Sequence, residues 1–182
     1  AALGANTTAS NNTAVGYLAL TTNTTGANNT AIGDQALEAN TTASNNTAIG
    51  KDAGTAITTG ASNVAVGALA LDANTTASYN TAVGYNALGA NTDGDQTRAN
   101  NTALGREALA ANTTGTNSVA VGYQALDAQT TGGSNVAVGN GSMTSQTTGE
   151  FNVAVGRNTL ATSTTGAGNT AVGDAALYAT VG

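Results

Sequence analysis

Residues 11–16 read NNTAVG, and close variants of this hexapeptide return throughout the chain. NNTAIG stands at 28–33 and again at 45–50, and SNVAVG follows at 62–67. The glycines that close the copies are Gly16, Gly33, Gly50, Gly67, Gly84, Gly105, Gly122, Gly139, Gly156 and Gly173. The spacing of 17 residues between Gly16 and Gly33 recurs at every step except the one from Gly84 to Gly105, where a four-residue insertion lies near 93–98. Residues 1–182 are therefore interpreted as a single repeat domain.

This 17-residue period is too short for repeats built from a helical hairpin, and it suits one turn of a β-solenoid. Within the hexapeptide, larger side chains alternate with alanine, as in Thr13, Ala14 and Val15, and such alternation is typical of a strand. The pattern predicts an all-β fold, a parallel β-solenoid of about ten 17-residue coils. We expect two ladders in its core. One ladder is the aliphatic third residue of each strand, and it comprises Val15, Ile32, Ile49, Val66, Val83, Leu104, Val121, Val138, Val155 and Val172. The other is the Leu of the Ala–Leu pair that follows each strand, and it comprises Leu20, Leu37, Leu71, Leu88, Leu109, Leu126, Met143, Leu160 and Leu177.

The middle residue of every predicted strand is alanine. These positions are Ala14, Ala31, Ala48, Ala65, Ala82, Ala103, Ala120, Ala137, Ala154 and Ala171. A strand face open to water would accept larger polar residues, and β-propensity favours Thr over Ala. Something must therefore lie close to this row. It is either a second copy of the chain, in which case the alanines form an oligomer interface, or the opposite wall of a narrow coil.

Composition excludes several classes of function. The chain has no Cys and no His, which removes the usual thiolate nucleophiles, general bases and metal ligands, so neither an enzyme nor a metal or cofactor site is expected. Four Lys and Arg stand against ten Asp and Glu, for a net charge of −6, so no nucleic-acid partner is expected. No apolar run approaches the roughly 18 residues of a membrane span.

Polar candidates remain in the insertion and in the sequons. Asp93, Asp95 and Arg98, followed by Arg106 and Glu107, favour either a cation or sugar site or a solvated loop. Asn-x-Thr acceptors are numerous and include the candidate glycosylation sites Asn6, Asn23, Asn40, Asn74 and Asn112. The alternative is that these asparagines are unmodified turn residues.

Two further patterns involve exposed side chains. Tyr17, Tyr85 and Tyr123 occupy the same repeat position, and Tyr79 and Tyr178 stand elsewhere. They favour a sugar- or protein-binding surface, or simple surface packing.

Regular Thr pairs, such as Thr24–Thr25, suggest an ice-binding interpretation, but adjacent residues of a strand point to opposite faces. Ice binding is therefore the third-ranked function.

The strand motif, its glycine and the Ala–Leu pair together are similar to the head repeats of trimeric autotransporter adhesins, and to repeats of bacteriophage tail fibres and bacterial surface fibres. The resemblance covers the whole chain. It implies a left-handed parallel β-roll, a homotrimer, and a location outside the cell on a cell-surface or virion fibre. It also implies attachment to a host surface, matrix protein or glycan. The repeat of this chain is longer than the one usual in those heads, and it has an extra polar corner.

The leading hypothesis is a structural and adhesive segment of an extracellular fibre, a rigid rod that presents surface residues. The alternative is a filament subunit that stacks end to end without a specific receptor. Because the first and last repeats are incomplete, we expect the segment to belong to a longer fibre.

Overall fold

The structure is a computed structural model, and it describes residues 1–92 and 99–178. Within these ranges the regular elements are ten strands of three residues each. They are β1 (Thr13–Val15), β2 (Thr30–Ile32), β3 (Thr47–Ile49), β4 (Val64–Val66), β5 (Thr81–Val83), β6 (Thr102–Leu104), β7 (Val119–Val121), β8 (Val136–Val138), β9 (Val153–Val155) and β10 (Thr170–Val172). Each strand occupies the predicted hexapeptide of its repeat.

The ten strands form one parallel sheet in chain order, from β1 to β10. Equivalent residues face each other, so that Ala14 lies opposite Ala31. The register holds across the long repeat, where Ala82 of β5 lies opposite Ala103 of β6. The four extra residues therefore leave the strand ladder unchanged. This parallel, in-register stack confirms the predicted β-solenoid.

The coils are also hydrogen-bonded outside the strands. The Leu20 N–H donates to the Ala36 carbonyl at 3.0 Å, and the Leu37 N–H donates to the Ala53 carbonyl at 3.1 Å. Each coil is thus held to the next on both sides of its cross-section. At about 4.8 Å per coil, the nine steps from β1 to β10 make a rod about 43 Å long.

The strand alanines, and not the aliphatic third residues, face the interior. Ala82 is fully buried, whereas Ile32 is 38% exposed and Val15 is 58% exposed. The prediction that the Val, Ile and Leu ladder of the strands lies in the core is therefore wrong. The interior between the strands and the opposite arm of the coil is narrow, and a methyl group fills it. The ladder that follows the glycines is confirmed in the core from Leu20 to Leu160.

The same observation corrects the alanine interface. The row comprises Ala14, Ala31, Ala48, Ala65, Ala82, Ala103, Ala120, Ala137, Ala154 and Ala171. From Ala31 onward, every member is at most 4% exposed, and all ten belong to or pack against the core of a single coil stack. Their side chains therefore cannot contact a second chain. The structure favours the narrow coil that was the other explanation of this row.

The glycine after each of the strands β1 to β9 is required by both conformation and space. Gly33 has a φ of 141°, a region that L side chains rarely adopt. A Cβ atom on Gly33 would lie 2.3 Å from the carbonyl oxygen of Gly50 in the next coil. The backbones of successive bends therefore approach too closely for any side chain.

One coil exchanges the positions of its large and small core residues. Gly54 stands where most other coils have Leu and one has Met, and Ile57 stands where most have Asn or Gln and one has Ser. A Cβ atom on Gly54 would lie 2.9 Å from Ile57 Cδ1 and 3.2 Å from Leu37 Cδ2. Ile57 therefore fills the space that the missing Leu leaves, and the core stays continuous.

A row of buried amides begins each strand. The Asn46 N–H donates to Asn29 Oδ1, and Asn46 Nδ2 donates to the Gly60 carbonyl at 2.8 Å. The same pattern repeats along the rod, and Ser118 replaces Asn in one coil. Side-chain amides thus satisfy backbone groups that no strand partner reaches. Composition indicated asparagine turns, but it did not show that these side chains are buried.

Candidate binding surfaces

The first candidate surface is the outer strand face, which consists of the first and third residues of β1 to β10. The first residue is Thr or Val and is half-buried in eight of these strands, from β2 to β9. Six third residues are 36% to 69% exposed: Val15, Ile32, Ile49, Leu104, Val155 and Val172. The face contains no Lys, Arg, Asp or Glu.

The outer strand face follows directly from the buried alanines. Since side chains alternate along a strand, an inward Ala sends both of its neighbours outward. β-branched residues suit this pleated surface. Ten strands spaced by about 4.8 Å give an uncharged strip about 43 Å long, in which an aliphatic row lies beside a row of Thr and Val. Exposed aliphatic side chains that form one contiguous row, instead of standing singly, are a feature of interaction surfaces.

The second candidate surface is the tyrosine–arginine cluster, which we define as Tyr85, Arg106, Glu107, Tyr123 and Gln124. Tyr85, Arg106 and Tyr123 each follow the glycine that ends a strand, in three successive coils. The Arg106 guanidinium carbon lies 5.9 Å from the Tyr85 ring centroid and 5.5 Å from the Tyr123 ring centroid. Both distances are within the range of cation–π contacts. Stacking of the coils therefore places an arginine between two aromatic rings.

Glu107 orders the polar part of the cluster. Arg106 Nη2 donates to Glu107 Oε1 at 2.9 Å, and Gln124 Nε2 donates to Glu107 Oε2 at 2.9 Å. The hydrogen bond from Arg106, followed by that from Gln124, lowers the pKa of Glu107 below its ordinary value. The hydrogen bond that Arg106 donates to Glu107, and then the charge of Glu107, raise the pKa of Arg106. Both groups are therefore charged at neutral pH.

Asp127 lies close to the cluster in the coil of Tyr123. Its Oδ1 atom is buried and has no hydrogen-bond partner within residues 1–92 and 99–178. Burial raises the pKa of Asp127, the N–H groups of Ala128 and Asp127 offset part of that effect, and the charge of Glu107 adds to it. We therefore expect the carboxylate charge at this position to weaken the coil at neutral pH, because burial leaves it only partly solvated.

The other tyrosines do not join the cluster. Tyr17 shares the repeat position of Tyr85 and Tyr123, but it is 70% exposed and the next coil offers Asp34 at that position. Tyr79 and Tyr178 are each half exposed at other positions of the repeat. The sequence predicted which tyrosines share a row, and the structure adds the arginine between two of them.

The candidate glycosylation sites are mostly inside the coil. Asn23, Asn40, Asn74 and Asn112 are fully buried. Asn40 Nδ2 donates to the Ala43 carbonyl at 3.2 Å, and Asn40 Oδ1 accepts from the Ala43 N–H at 3.0 Å. These four side chains are not accessible to glycosylation in the folded coil. Asn6 is half-buried, and its amide bonds Ala9 and Asn23, so its glycosylation stays a prediction.

The remaining sequence candidates divide between described and undescribed residues. Asp93, Asp95 and Arg98 lie outside the described residues, whereas Arg106 and Glu107 belong to the tyrosine–arginine cluster. Within residues 1–92 and 99–178, no group of three or more acidic residues is placed to hold a metal ion. In the same ranges no helix is long and apolar enough to cross a membrane.

The Thr pairs lie at a corner of the coil and not on the sheet. The first Thr of a pair bonds the next coil, as when Thr24 Oγ1 donates to the Thr41 carbonyl at 3.0 Å. The second, such as Thr25, is exposed. The first hydroxyl is thus committed to the coil, which leaves one outward rank and not the two that ice binding requires.

No family model, curated protein or solved structure matches this chain. Its function must therefore be argued from its own surfaces. The outer strand face offers uncharged apolar area along the whole sheet. The tyrosine–arginine cluster offers aromatic rings beside fixed donors and acceptors.

Proposed function

We propose that this chain is a rigid structural and adhesive segment of an extracellular fibre. Three copies pack through their outer strand faces, and the corners of the coils carry the residues that attach to a surface. The observation that supports this proposal is the outer strand face itself. It lacks charged residues, it carries an unbroken row of aliphatic third residues beside a row of Thr and Val, and it extends from β1 to β10.

A second copy of the chain is the occupant that fits this face. Its length and coil spacing match the face at every step, because every coil repeats the same pattern. Burying the aliphatic row of each copy stabilises the assembly in proportion to the apolar area removed from water, at about 25 cal/mol per Å². A closed ring of three copies covers the face of each one, so that none remains in contact with water.

Rigidity supports the structural part of the proposal. Backbone hydrogen bonds link successive coils on both the strand side and the Leu side. Buried amides such as Asn46 add bonds between coils. The rod therefore resists bending in every direction, and it can hold binding groups at a fixed distance from an attachment point.

The mass of the assembly in solution tests the proposal. Light scattering should give about three times the chain mass of 17.4 kDa. Substituting Val83 and Val121 together by Lys places two charges on the outer strand face of each copy. We expect this variant to have the chain mass of a monomer, with a circular dichroism spectrum like that of the parent.

A matched control places the same two charges elsewhere. Thr59 and Thr76 are exposed at a corner of neighbouring coils, so the double Lys variant there should keep the threefold mass. A parent protein that is a stable monomer would contradict the proposal. Electron micrographs showing fibres that lengthen with concentration would instead support the end-to-end filament.

A further inference from the structure

We propose that the tyrosine–arginine cluster binds a neutral glycan, with a pyranose ring stacked on Tyr85 or Tyr123. Its hydroxyl groups would bond Arg106, Glu107 and Gln124. This inference rests on the proposed adhesive function and assigns a ligand class to one part of its surface.

Tyr85 has an open ring face. Tyr85 and Tyr123 are 49% and 40% exposed, and the Arg106 guanidinium covers the inner face of both rings. On the outer side of Tyr85 the row continues with Ala68, a side chain too short to cover the ring. The apolar C–H face of a sugar can therefore stack there, as it does on aromatic side chains that offer a flat apolar surface.

The coil spacing leaves room for one ring. The next long side chain in that direction is Lys51, two coils from Tyr85, or about 9.6 Å along the rod. Its ammonium group is turned aside to Asp52, with which it forms an ion pair. A ring in van der Waals contact with Tyr85, at about 4 Å, fits in this gap above Ala68.

The polar groups suit hydroxyl groups and not a charged ligand. A sugar hydroxyl donates one hydrogen bond and accepts others, so it needs both kinds of partner. Arg106 and Gln124 supply N–H donors, and Glu107 supplies acceptor oxygens that those donors hold in place. Arg106 and Glu107 cancel in charge, and Asp127 adds a carboxylate nearby. An anionic polymer would meet no excess positive charge, so a neutral glycan is favoured.

Assembly would strengthen a weak site. One stacked ring and a few hydrogen bonds to exposed groups give low affinity. Three copies in the proposed trimer would present three such clusters at the same height on the fibre. A polysaccharide that reaches more than one of them gains avidity without any new contact.

Ligand-observed saturation-transfer nuclear magnetic resonance on the intact protein tests the site. The probes are maltohexaose, cellohexaose and a β-linked galactohexaose, with a sulfated oligosaccharide as the anionic comparison. We expect transfer to at least one neutral probe. Tyr85→Ala combined with Tyr123→Ala should lower the apparent affinity at least tenfold, and Arg106→Ala should also weaken binding.

Tyr17→Ala is the matched control, because Tyr17 occupies the same repeat position without an arginine beside it. It should leave the transfer unchanged. The inference is overturned if no neutral probe receives transfer, if the sulfated probe binds better, or if the Tyr17 variant loses as much signal as the cluster variants. These outcomes leave the threefold mass unaffected, so they separate failure of the site from failure of the fibre proposal.

Discussion

At the scale of single residues, side-chain volume decides the direction of each strand. Ala120 is fully buried, and its neighbour Val121 lies on the outer strand face. Both are apolar, so hydrophobicity alone does not distinguish them. The interior accepts only a methyl group because the Leu arm of the coil lies directly opposite.

Ala120→Leu should therefore destabilise the protein, whereas Val121→Leu should not. The first change forces extra methylene groups into a packed interior and should cost about 1–3 kcal/mol. The second change adds its methylene group on the outer strand face, where no packed interior has to rearrange. Urea denaturation followed by circular dichroism measures both. Equal losses in the two variants would show that the two faces have been assigned incorrectly.

Asp127→Asn should stabilise the protein at pH 7, because it removes a charge that burial disfavours at a position where the Oδ1 atom has no hydrogen-bond partner among the described residues. Burial raises the pKa of Asp127, so the folded state binds the proton more tightly than the unfolded state. The parent therefore gains stability as the pH falls through the raised pKa toward the ordinary value of 3.8. The benefit of the substitution should disappear at pH 3.

Thermal melts at the two pH values measure this effect. Asp34→Asn serves as the control, because Asp34 is exposed. Its melting temperature should match that of the parent at pH 7. If Asp127→Asn melts below the parent at pH 7, the buried carboxylate stabilises the coil and the argument fails.

At the scale of the coil, tight corners require backbone conformations that most residues avoid. Leu20, Leu37 and Asn45 have φ values of 53°, 51° and 63°. A non-glycine residue in this left-handed region costs about 1 kcal/mol, although Asn tolerates it better than Leu does. Packing of the Leu side chains and hydrogen bonds of the buried amides offset this strain.

Asn46→Ala should therefore be costly. It removes the acceptor of the Asn63 N–H and the donor to the Gly60 carbonyl, and both of these groups lie in the buried part of the coil. Two unsatisfied backbone groups should cost about 2–4 kcal/mol. Asn45→Gly is the control, because Asn45 is exposed and glycine adopts positive φ readily. Denaturation midpoints that shift equally in the two variants would show that the buried ladder has no special role.

At the scale of the whole molecule, stability is close to one-dimensional. Each of the ten described strands contacts only the strands before and after it. In such a stack, the stability of a coil depends on its own packing and on the two interfaces it makes. A defect in one coil should therefore weaken its neighbours more than distant coils.

Leu109→Ala tests this behaviour. Leu109 is fully buried in the central part of the rod, and its truncation should cost about 2–5 kcal/mol. Hydrogen exchange measured by mass spectrometry should increase most in the coils of Leu88, Leu109 and Leu126. Val83→Ala, on the outer strand face, should change exchange much less. A uniform increase along the chain would indicate that the rod unfolds only as a single unit.

The sequence by itself determined the period, the strand positions, the parallel register and the row that Tyr85 and Tyr123 share. These features repeat from coil to coil, so the constant spacing of the motif is enough to place them. Only the tertiary structure decided which strand face is inside, because alternation separates Ala82 from Val83 without saying how wide the interior is. It also decided that Asn40 is buried and that the Arg106 side chain turns so that its guanidinium lies 5.9 Å and 5.5 Å from the two tyrosine ring centroids. Those outcomes depend on the distance across the coil and on side-chain direction, and neither is encoded in the period.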